Sequence, residues 1–383
     1  MSAARKALFY AVMWLATGLV IVAGVELILP RVAPAQHLSR HRWGNRPHTF
    51  LPGVTQRAVT AHYDVTFRTN ALGYNDVEHA LGKAPDRFRV LLLGDSFVEG
   101  MQVAPERHLA RLLEGLAARD GHALEVVAMG ISGYGQSHEL ATYEALGGAY
   151  QPDLVIAFFC PNDLWNNLVG VEGEEGPAIY RIDADGTLVS NLDGLPETPP
   201  TAAEYRKHER PPRFPGLRIA RRLLRGSYRL AFGDARGAAR AEALNELPKG
   251  KRSEGGRAPR GIRPDQQAMF ETLVAEMARR IALRDGHPLL SVTVSGNLFR
   301  DSNRAYERMT RWVAETFARH GVDNVALDPL FRERARREGR YPAWENDAHW
   351  NETGHAWVAE VLYARLEPLL RSAADVERPT PGR

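Results

Sequence analysis

Cysteine is almost absent from this chain, and its scarcity removes several kinds of structure. The 383 residues include a single cysteine, Cys160, so an internal disulfide and a cysteine-rich metal site are both excluded. An excess of one charge is also lacking, because a formal net charge of +3 is too small for this length to indicate a nucleic-acid partner. The apolar fraction of 44% and the charged fraction of 25% are those of an ordinary globular protein.

Long apolar runs are missing as well, apart from one at the N-terminus. Residues 7–30 contain one charged side chain, Glu26. A helix over this segment would span roughly 35 Å, against about 30 Å for the hydrocarbon core of a bilayer. A secretory signal has an apolar region of only about 7–15 residues. The longer run therefore predicts an uncleaved membrane anchor that comprises residues 1–30. Two alternatives stay open: a buried core helix, and cleavage after the Ala-Pro-Ala of residues 33–35.

The flanks of this run bear on its orientation. Arg5 and Lys6 precede it, but four arginines follow within residues 31–46. A count of positive charges alone would leave the rest of the chain in the cytoplasm, yet large domains translocate largely regardless of such charges. We therefore expect a single-pass protein of the inner membrane, with its main domain in the periplasm or outside the cell.

Beyond the anchor, short apolar runs alternate with segments of helical periodicity. Residues 31–87 are interpreted as a linker and N-terminal extension, which includes an exposed strand at 62–70. Strands are predicted at 88–93, 124–129, 153–159, 288–296 and 324–330. Helices are predicted at 106–121, 137–146, 265–286 and 303–321, and from residue 355 to about 371. The alternation predicts one α/β domain over 88–371, with a parallel sheet covered by helices on both faces.

Two segments stand outside this alternation. An insertion at 164–262 is rich in proline, glycine and arginine. Within it, residues 217–232 fit a basic amphipathic helix, which would either lie on anionic lipid or pack its apolar face on the domain. Residues 372–383 are expected to form a disordered tail.

Residues with catalytic chemistry follow the predicted strands, where open α/β sheets bind their ligands. Ser96 follows the first strand, Gly133 lies in a glycine-rich turn after the second, Asn162 follows the third, and Asp347 and His349 lie near the C-terminus. Ser96 would attack an ester carbonyl, His349 would carry its proton to the leaving alcohol, and Asp347 would orient His349. The backbone N–H groups of Ser96 and Gly133 and the amide of Asn162 would hold the oxyanion.

Each of these residues also has a simpler interpretation. Asp95 and Ser96 would cap a helix that starts there, and Asn162 would be an ordinary turn residue in Pro-Asn-Asp. The order of the pieces and their common place after strands favour the catalytic interpretation.

Four short blocks, in this order, resemble the SGNH (GDSL-type) hydrolase family. They are Gly-Asp-Ser-Phe-Val-Glu-Gly at 94–100, Met-Gly-Ile-Ser-Gly-Tyr-Gly at 129–135, Pro-Asn-Asp at 161–163 and Asp-Ala-His-Trp at 347–350. The stretch at 67–76 also resembles membrane-anchored bacterial members. The resemblance implies a three-layer α/β/α sandwich with a flavodoxin-like parallel sheet, and catalysis that needs no cofactor and no metal.

Two positions depart from the family pattern. Cys160 stands where the family usually has glycine, and we expect it to narrow the oxyanion pocket. Asn346 stands where the family usually has its aspartate, three residues before the histidine, whereas Asp347 is two residues before His349. This Asp-x-His spacing is similar to that of the SGNH-like alginate O-acetyltransferases.

Three functions fit these features. The first is a membrane-anchored serine esterase that hydrolyses carboxylic O-acyl esters of small molecules or glycans. The second is an O-acyltransferase that uses the same residues to modify envelope polysaccharide. The third is a non-catalytic envelope binding protein, and the presence of Ser96, Asn162 and His349 argues against it.

Overall fold

The computed structural model describes residues 3–32, 38, 40–41, 47–60, 62–169, 178–191, 216–217, 220–221, 261–294, 304–344 and 347–377. Asn346, most of the predicted insertion and the end of the predicted tail lie outside the described residues, as does the predicted amphipathic helix at 217–232 apart from three residues. The chain divides into two compact units. The smaller comprises Met1–His37, Val59–Ala61 and Ala202–Pro248, and the larger comprises Leu38–Ala58, His62–Thr201 and Lys249–Arg383.

The smaller unit is built on the N-terminal helix α1 (Ala3–Val32). Its segment Leu8–Leu29 is 22 residues long with a mean hydropathy of 2.3, and none of that segment is buried. By length and composition it is able to cross a bilayer, a test that a signal sequence also passes. The carboxylate of Glu26 accepts the backbone N–H groups of Gly216 and Leu217, each at 2.9 Å.

The larger unit contains the remaining elements. In chain order, its described strands are β1 (Arg40–His41), β2 (Thr49–Phe50), β3 (Thr55–Val59, whose last residue falls in the smaller unit), β4 (Asp64–Arg68), β5 (Phe88–Gly94), β6 (Leu124–Gly130), β7 (Leu154–Phe159), β8 (Tyr180–Ile182), β9 (Leu188–Ser190), β10 (Leu289–Thr293), β11 (Asp323–Ala326), β12 (Ala343–Trp344) and β13 (Asp347–Trp350). Its described α-helices are α2 (Ser96–Glu99), α3 (Leu109–Arg119), α4 (Gln136–Ala145), α5 (Asp163–Val169), α6 (Pro264–Met277), α7 (Arg304–Arg319), α8 (Leu327–Glu338) and α9 (Glu352–Glu377).

A five-stranded parallel sheet forms the centre, in the order β11–β10–β7–β5–β6. Successive residues of β5 point to opposite faces, as a strand requires. Leu92 packs in a cluster with residues of α3, α8 and α9, whereas Leu93 packs in a second cluster with residues of α4 and α6. The α/β class, the parallel sheet and the three-layer sandwich predicted from the sequence are confirmed.

Several boundaries differ from the prediction for clear physical reasons. The last strand of the sheet ends at Ala326 instead of 330, because Leu327 and Phe331, four residues apart, bury one face of α8. The final helix continues to Glu377 instead of ending near 371, since no glycine or proline follows until Pro379. The predicted linker and extension also join the domain before residue 88, because Phe50, Phe67 and Tyr74 are buried in its core.

Candidate active site

The turn after β5 is shaped by two glycines. Gly94 ends β5 and lies opposite Gly130, which ends β6. A Cβ on Gly94 would come within 2.6 Å of Val98 Cγ2, and a Cβ on Gly130 within 2.7 Å of the backbone N of Glu99. These glycines let the one-turn helix α2 lie directly on the ends of two strands, which places its first residue, Ser96, at the carboxyl edge of the sheet.

The helix cap and the reactive hydroxyl belong to different residues. Asp95 is the N-cap of α2, and its carboxylate accepts the backbone N–H of Phe97 at 3.0 Å. The Ser96 hydroxyl instead meets Nε2 of His349 at 2.7 Å, across 253 positions of sequence. Asp95 therefore caps the helix, as the simpler interpretation of the sequence predicted. The Ser96 hydroxyl is not used for the cap and bonds to His349 instead. Because α2 has only four residues, its dipole contributes little to activating that hydroxyl.

Asp347 and His349 lie on β13, which pairs antiparallel with β12, and not in a loop. Residues two apart on a strand project from the same face. Oδ1 of Asp347 is 2.5 Å from Nδ1 of His349 and also accepts the backbone N–H of His349 at 3.1 Å. The side chains of Asp347 and His349 keep 22% and 30% of their surface exposed, so solvent and substrate can reach them.

The surrounding charges shift the pKa values of His349 and Asp347 in opposite directions. Burial lowers the pKa of His349, but the hydrogen bond and charge of Asp347 and the charges of Asp95 and Glu99 outweigh it, so the pKa is raised above 6.5. Burial raises the pKa of Asp347, but its contacts with His349 outweigh that effect and the pKa falls below its usual value. The carboxylate is therefore suited to stabilise an imidazolium.

The turn after β6 leaves one backbone donor free. The N–H of Ile131 bonds to the carbonyl of Gly94 at 3.3 Å, that of Tyr134 to the carbonyl of Ile131 at 3.0 Å, and that of Ser132 to the carboxylate of Glu99 at 2.7 Å. Gly133 has a φ of +85°, which glycine adopts without strain. Within the described part of the chain, the N–H of Gly133 has no protein acceptor.

Cys160 and Asn162 both follow the carboxyl end of β7. The side chain of Asn162 is exposed, and its amide donates to Oδ2 of Asp95, the residue before Ser96, at 3.4 Å. Cys160 is 5% exposed and packs in the core cluster shared with α3 and α9. Burial, and then the charges of Asp95 and Asp163, raises the pKa of the Cys160 thiol well above its usual value, so the thiol stays neutral.

Aromatic residues anchor the site and were missed from the sequence. Trp350 is 1% exposed and lies against Phe97, with ring centroids 4.7 Å apart, and against Phe158 at 6.2 Å. Phe97 in turn lies beside the imidazole of His349, at 5.3 Å. The alternation of polar Asp347 and His349 with apolar Ala348 and Trp350 was the available signal, because it is typical of a strand with one buried face.

Two buried histidines near the carboxyl edge have structural partners. Buried His108 bonds through Nε2 to the carbonyl of Val98 at 2.8 Å, and buried His355 accepts the N–H of Leu109 at 3.2 Å. Among the residues that the structure describes, no group of three or more His, Cys, Asp or Glu side chains is placed to hold a metal ion.

A comparison with protein-family models identifies the family of this chain. The model of the GDSL-like lipase/acylhydrolase family matches residues 92–357. Three solved structures resemble the chain: TesA (16% identity, 73% of this chain and 99% of that one, TM-score 0.38), a lipase/acylhydrolase from Enterococcus faecalis (12%, 73% and 96%, 0.38) and an acetyl xylan esterase from Geobacillus stearothermophilus (15%, 73% and 94%, 0.38). No curated protein matches the chain. Since the family match covers more than half of the sequence, the chain belongs to the GDSL-like lipase/acylhydrolase, or SGNH, family.

Proposed function

We propose that this protein is a serine esterase that hydrolyses carboxylic O-acyl esters through an acyl-enzyme on Ser96. One observation carries the proposal. The hydroxyl of Ser96 lies 2.7 Å from His349, and His349 lies 2.5 Å from Asp347, an unbroken hydrogen-bonded row at the carboxyl edge of the sheet. Such a row is the arrangement that activates a serine as a nucleophile.

The first half of the reaction loads the enzyme. Oγ of Ser96 attacks the ester carbonyl carbon while Nε2 of His349 takes the hydroxyl proton. Asp347 stabilises the resulting imidazolium, and the negative charge on the carbonyl oxygen is received by the N–H groups of Ser96 and Gly133 and the amide of Asn162. The bond to the alcohol oxygen then breaks, and His349 returns its proton to that oxygen.

The second half releases the acid. A water molecule gives a proton to His349 and attacks the acyl carbon, and the same donors hold the second oxyanion. The acyl–oxygen bond to Ser96 breaks, and the proton on His349 returns to the serine. The leaving groups are the alcohol in the first half and the Ser96 oxygen in the second, the products are the alcohol and the carboxylic acid, and no redox step is involved.

A fluorophosphonate probe tests the nucleophile directly. It should label the wild-type protein and leave Ser96→Ala unlabelled, because the phosphonyl group attaches only to an activated serine. Equal labelling of both proteins would show that Ser96 is not the nucleophile. Absence of labelling in a folded wild-type protein would favour the non-catalytic binding protein.

A second candidate function is acyl transfer to a sugar hydroxyl. The observation that favours it is the two-residue spacing of Asp347 and His349 on β13, which is similar to that of SGNH-like O-acetyltransferases. A panel of acyl esters, assayed with and without glycan acceptors, separates the two. Acid release alone indicates an esterase, and acylated glycan formed at the expense of acid indicates a transferase.

We also propose that α1 anchors the protein in the inner membrane, with the catalytic domain in the periplasm or outside the cell. The exposed apolar segment Leu8–Leu29 supports this, because it matches a bilayer in length. A reporter fused after residue 50 should give a periplasmic signal. A cytoplasmic signal would mean that the arginines after the segment set its orientation.

A further inference from the structure

Glu99 is a buried carboxylate that the proton relay does not use. It is the last residue of α2, three positions after Ser96, and only 1% exposed. Its Oε2 accepts the backbone N–H of Ser132 at 2.7 Å and also the hydroxyl of Ser132. One side chain therefore ties the helix that carries the nucleophile to the turn that follows β6.

The contact between Glu99 and Ser132 bears on the neighbouring peptide group, which carries the N–H of Gly133. The N–H of Gly133 belongs to the peptide between Ser132 and Gly133, and its direction depends on how Ser132 is held. Both donors of Ser132 bond to Glu99, while the N–H groups of Ile131 and Tyr134 bond to backbone carbonyls. The left-handed φ of Gly133 then completes a turn in which the orientation of that N–H is set by Glu99.

Glu99 is itself held from outside the helix. Its carbonyl accepts the side-chain amide of Asn75 at 2.9 Å, and the preceding carbonyl, of Val98, accepts Nε2 of His108 at 2.8 Å. Asn75 is 8% exposed and comes from the N-terminal extension. The stretch at 67–76 therefore reaches α2 at this point, through the contact of Asn75 with Glu99.

We propose that Glu99 is a positioning residue of the oxyanion hole: its carboxylate holds Ser132 so that the N–H of Gly133 faces the carbonyl oxygen of a substrate on Ser96. The proposal rests on the esterase function proposed above. It also gives the acidic residue of the Gly-Asp-Ser-Phe-Val-Glu-Gly block a role that is separate from the Ser–His–Asp relay.

The charge of Glu99 supplies a readout that a purely structural role would not move. Burial lowers the pKa of His349, and the charges of Asp347, Asp95 and Glu99 raise it. Buried His355 is also in electrostatic contact with His349, and burial lowers the pKa of His355 well below 6.5, so it is neutral. Removing the charge of Glu99 should therefore lower the pKa of His349 and move the acid limb of the pH profile to lower pH.

Four variants of the full chain test the proposal, with a simple acetate ester as the substrate. Glu99→Ala should lower kcat about 100-fold and change KM less than about threefold, since a misplaced oxyanion donor acts only in the transition state. Glu99→Gln keeps an oxygen for both donors of Ser132, so kcat should return to within about tenfold of wild type, with the acid limb at lower pH. Ser132→Ala should give an intermediate loss, and Glu106→Gln, an exposed carboxylate nearby, should change nothing.

Phenylboronic acid, which forms a tetrahedral adduct with an activated serine, provides a second readout. Its affinity should fall with kcat across the variants, because the adduct uses the same donors. A folded Glu99→Ala with kcat within threefold of wild type would overturn the proposal. If Glu99→Ala does not fold, unchanged kcat in Ser132→Ala together with an unmoved acid limb in Glu99→Gln would overturn it.

Failure of the esterase function would look different. In that case the wild-type protein, Ser96→Ala and all Glu99 variants would be equally inactive toward esters and toward the fluorophosphonate probe. An active wild type, an inactive Ser96→Ala and a fully active Glu99→Ala would leave the esterase function standing and refute the role of Glu99 alone.

Discussion

Replacement of Asp347 by asparagine removes a charge while keeping an oxygen for the backbone of His349. Asp347→Asn still offers Oδ1 to the N–H that it now accepts at 3.1 Å, so β13 should keep its shape. What disappears is the negative charge beside the ring nitrogen, 2.5 Å from the carboxylate oxygen. The variant therefore isolates the electrostatic part of the contribution of Asp347.

The magnitude follows from the geometry. Charge centres about 4 Å apart attract by about 4 kcal/mol at an effective dielectric constant of about 20. Because the side chains of Asp347 and His349 are 22% and 30% exposed, solvent screening reduces this value. We take about 2–4 kcal/mol as the loss in stabilisation of the imidazolium, which corresponds to a fall in kcat of roughly 30- to 1000-fold.

The pH profile of kcat/KM gives the sign of the effect. Burial lowers the pKa of His349 and Asp347 raises it, with a net value above 6.5 in the wild type. Only neutral His349 accepts the proton of Ser96, so activity rises with pH through that pKa. In Asp347→Asn the acid limb should move to lower pH while the plateau falls.

The control is Asn346→Ala, which changes the position where the family usually places its aspartate. It should retain most of the activity of the wild type. A plateau in Asp347→Asn within threefold of wild type, an acid limb at higher pH, or a larger loss in Asn346→Ala would each refute the assignment of Asp347.

Three further changes have distinct expected outcomes. Asn162→Ala should lower kcat about 100- to 1000-fold and leave the melting temperature unchanged, because its exposed amide makes only a 3.4 Å contact. Gly130→Ala should lower the free energy of unfolding by about 1–3 kcal/mol in denaturant titration, because the new Cβ meets the backbone of α2 at 2.7 Å. Burial lowers the pKa of His355, so below about pH 6.5 the unfolded wild-type chain takes up a proton that the folded protein does not, and the wild type loses stability. In thermal melts, His355→Gln should therefore become more stable relative to wild type as the pH falls below about 6.5. A stability difference that does not change with pH would contradict this.

The sheet could be predicted from the sequence because its strands carry strong local signals. β7 is a continuous apolar run, and β5 and β6 are apolar apart from Arg89 and Glu125, a pattern that predicts strands buried on both faces. The short elements could not be predicted this way. α2 and β13 have four residues each, too few for a period to emerge, and they form because they pack on Gly130 and through Trp350 on the core.

The site shows the same division between local and long-range information. The residue types after each strand predicted Ser96, His349 and their hydrogen bond, because the carboxyl ends of parallel strands meet at one edge. The separation of cap and nucleophile could not be predicted, since aspartate and serine are equally good N-caps. The link from Glu99 to Ser132 could not be predicted either, because a hydrogen bond between α2 and the turn after β6 leaves no periodic pattern in the sequence.

The spacing of Asp347 and His349 is explained by the strand that carries them. On a strand, residues at an even spacing share a face, and residues at an odd spacing project from opposite faces. Trp350 is buried on one face of β13, so His349, its neighbour, projects from the opposite face, and so does Asp347, two positions before His349. A carboxylate three positions before the histidine suits a turn or a helix, where i and i+3 meet. The two-residue spacing in this chain is therefore a consequence of placing the histidine on β13, and it identifies Asp347 as the partner that this local structure allows.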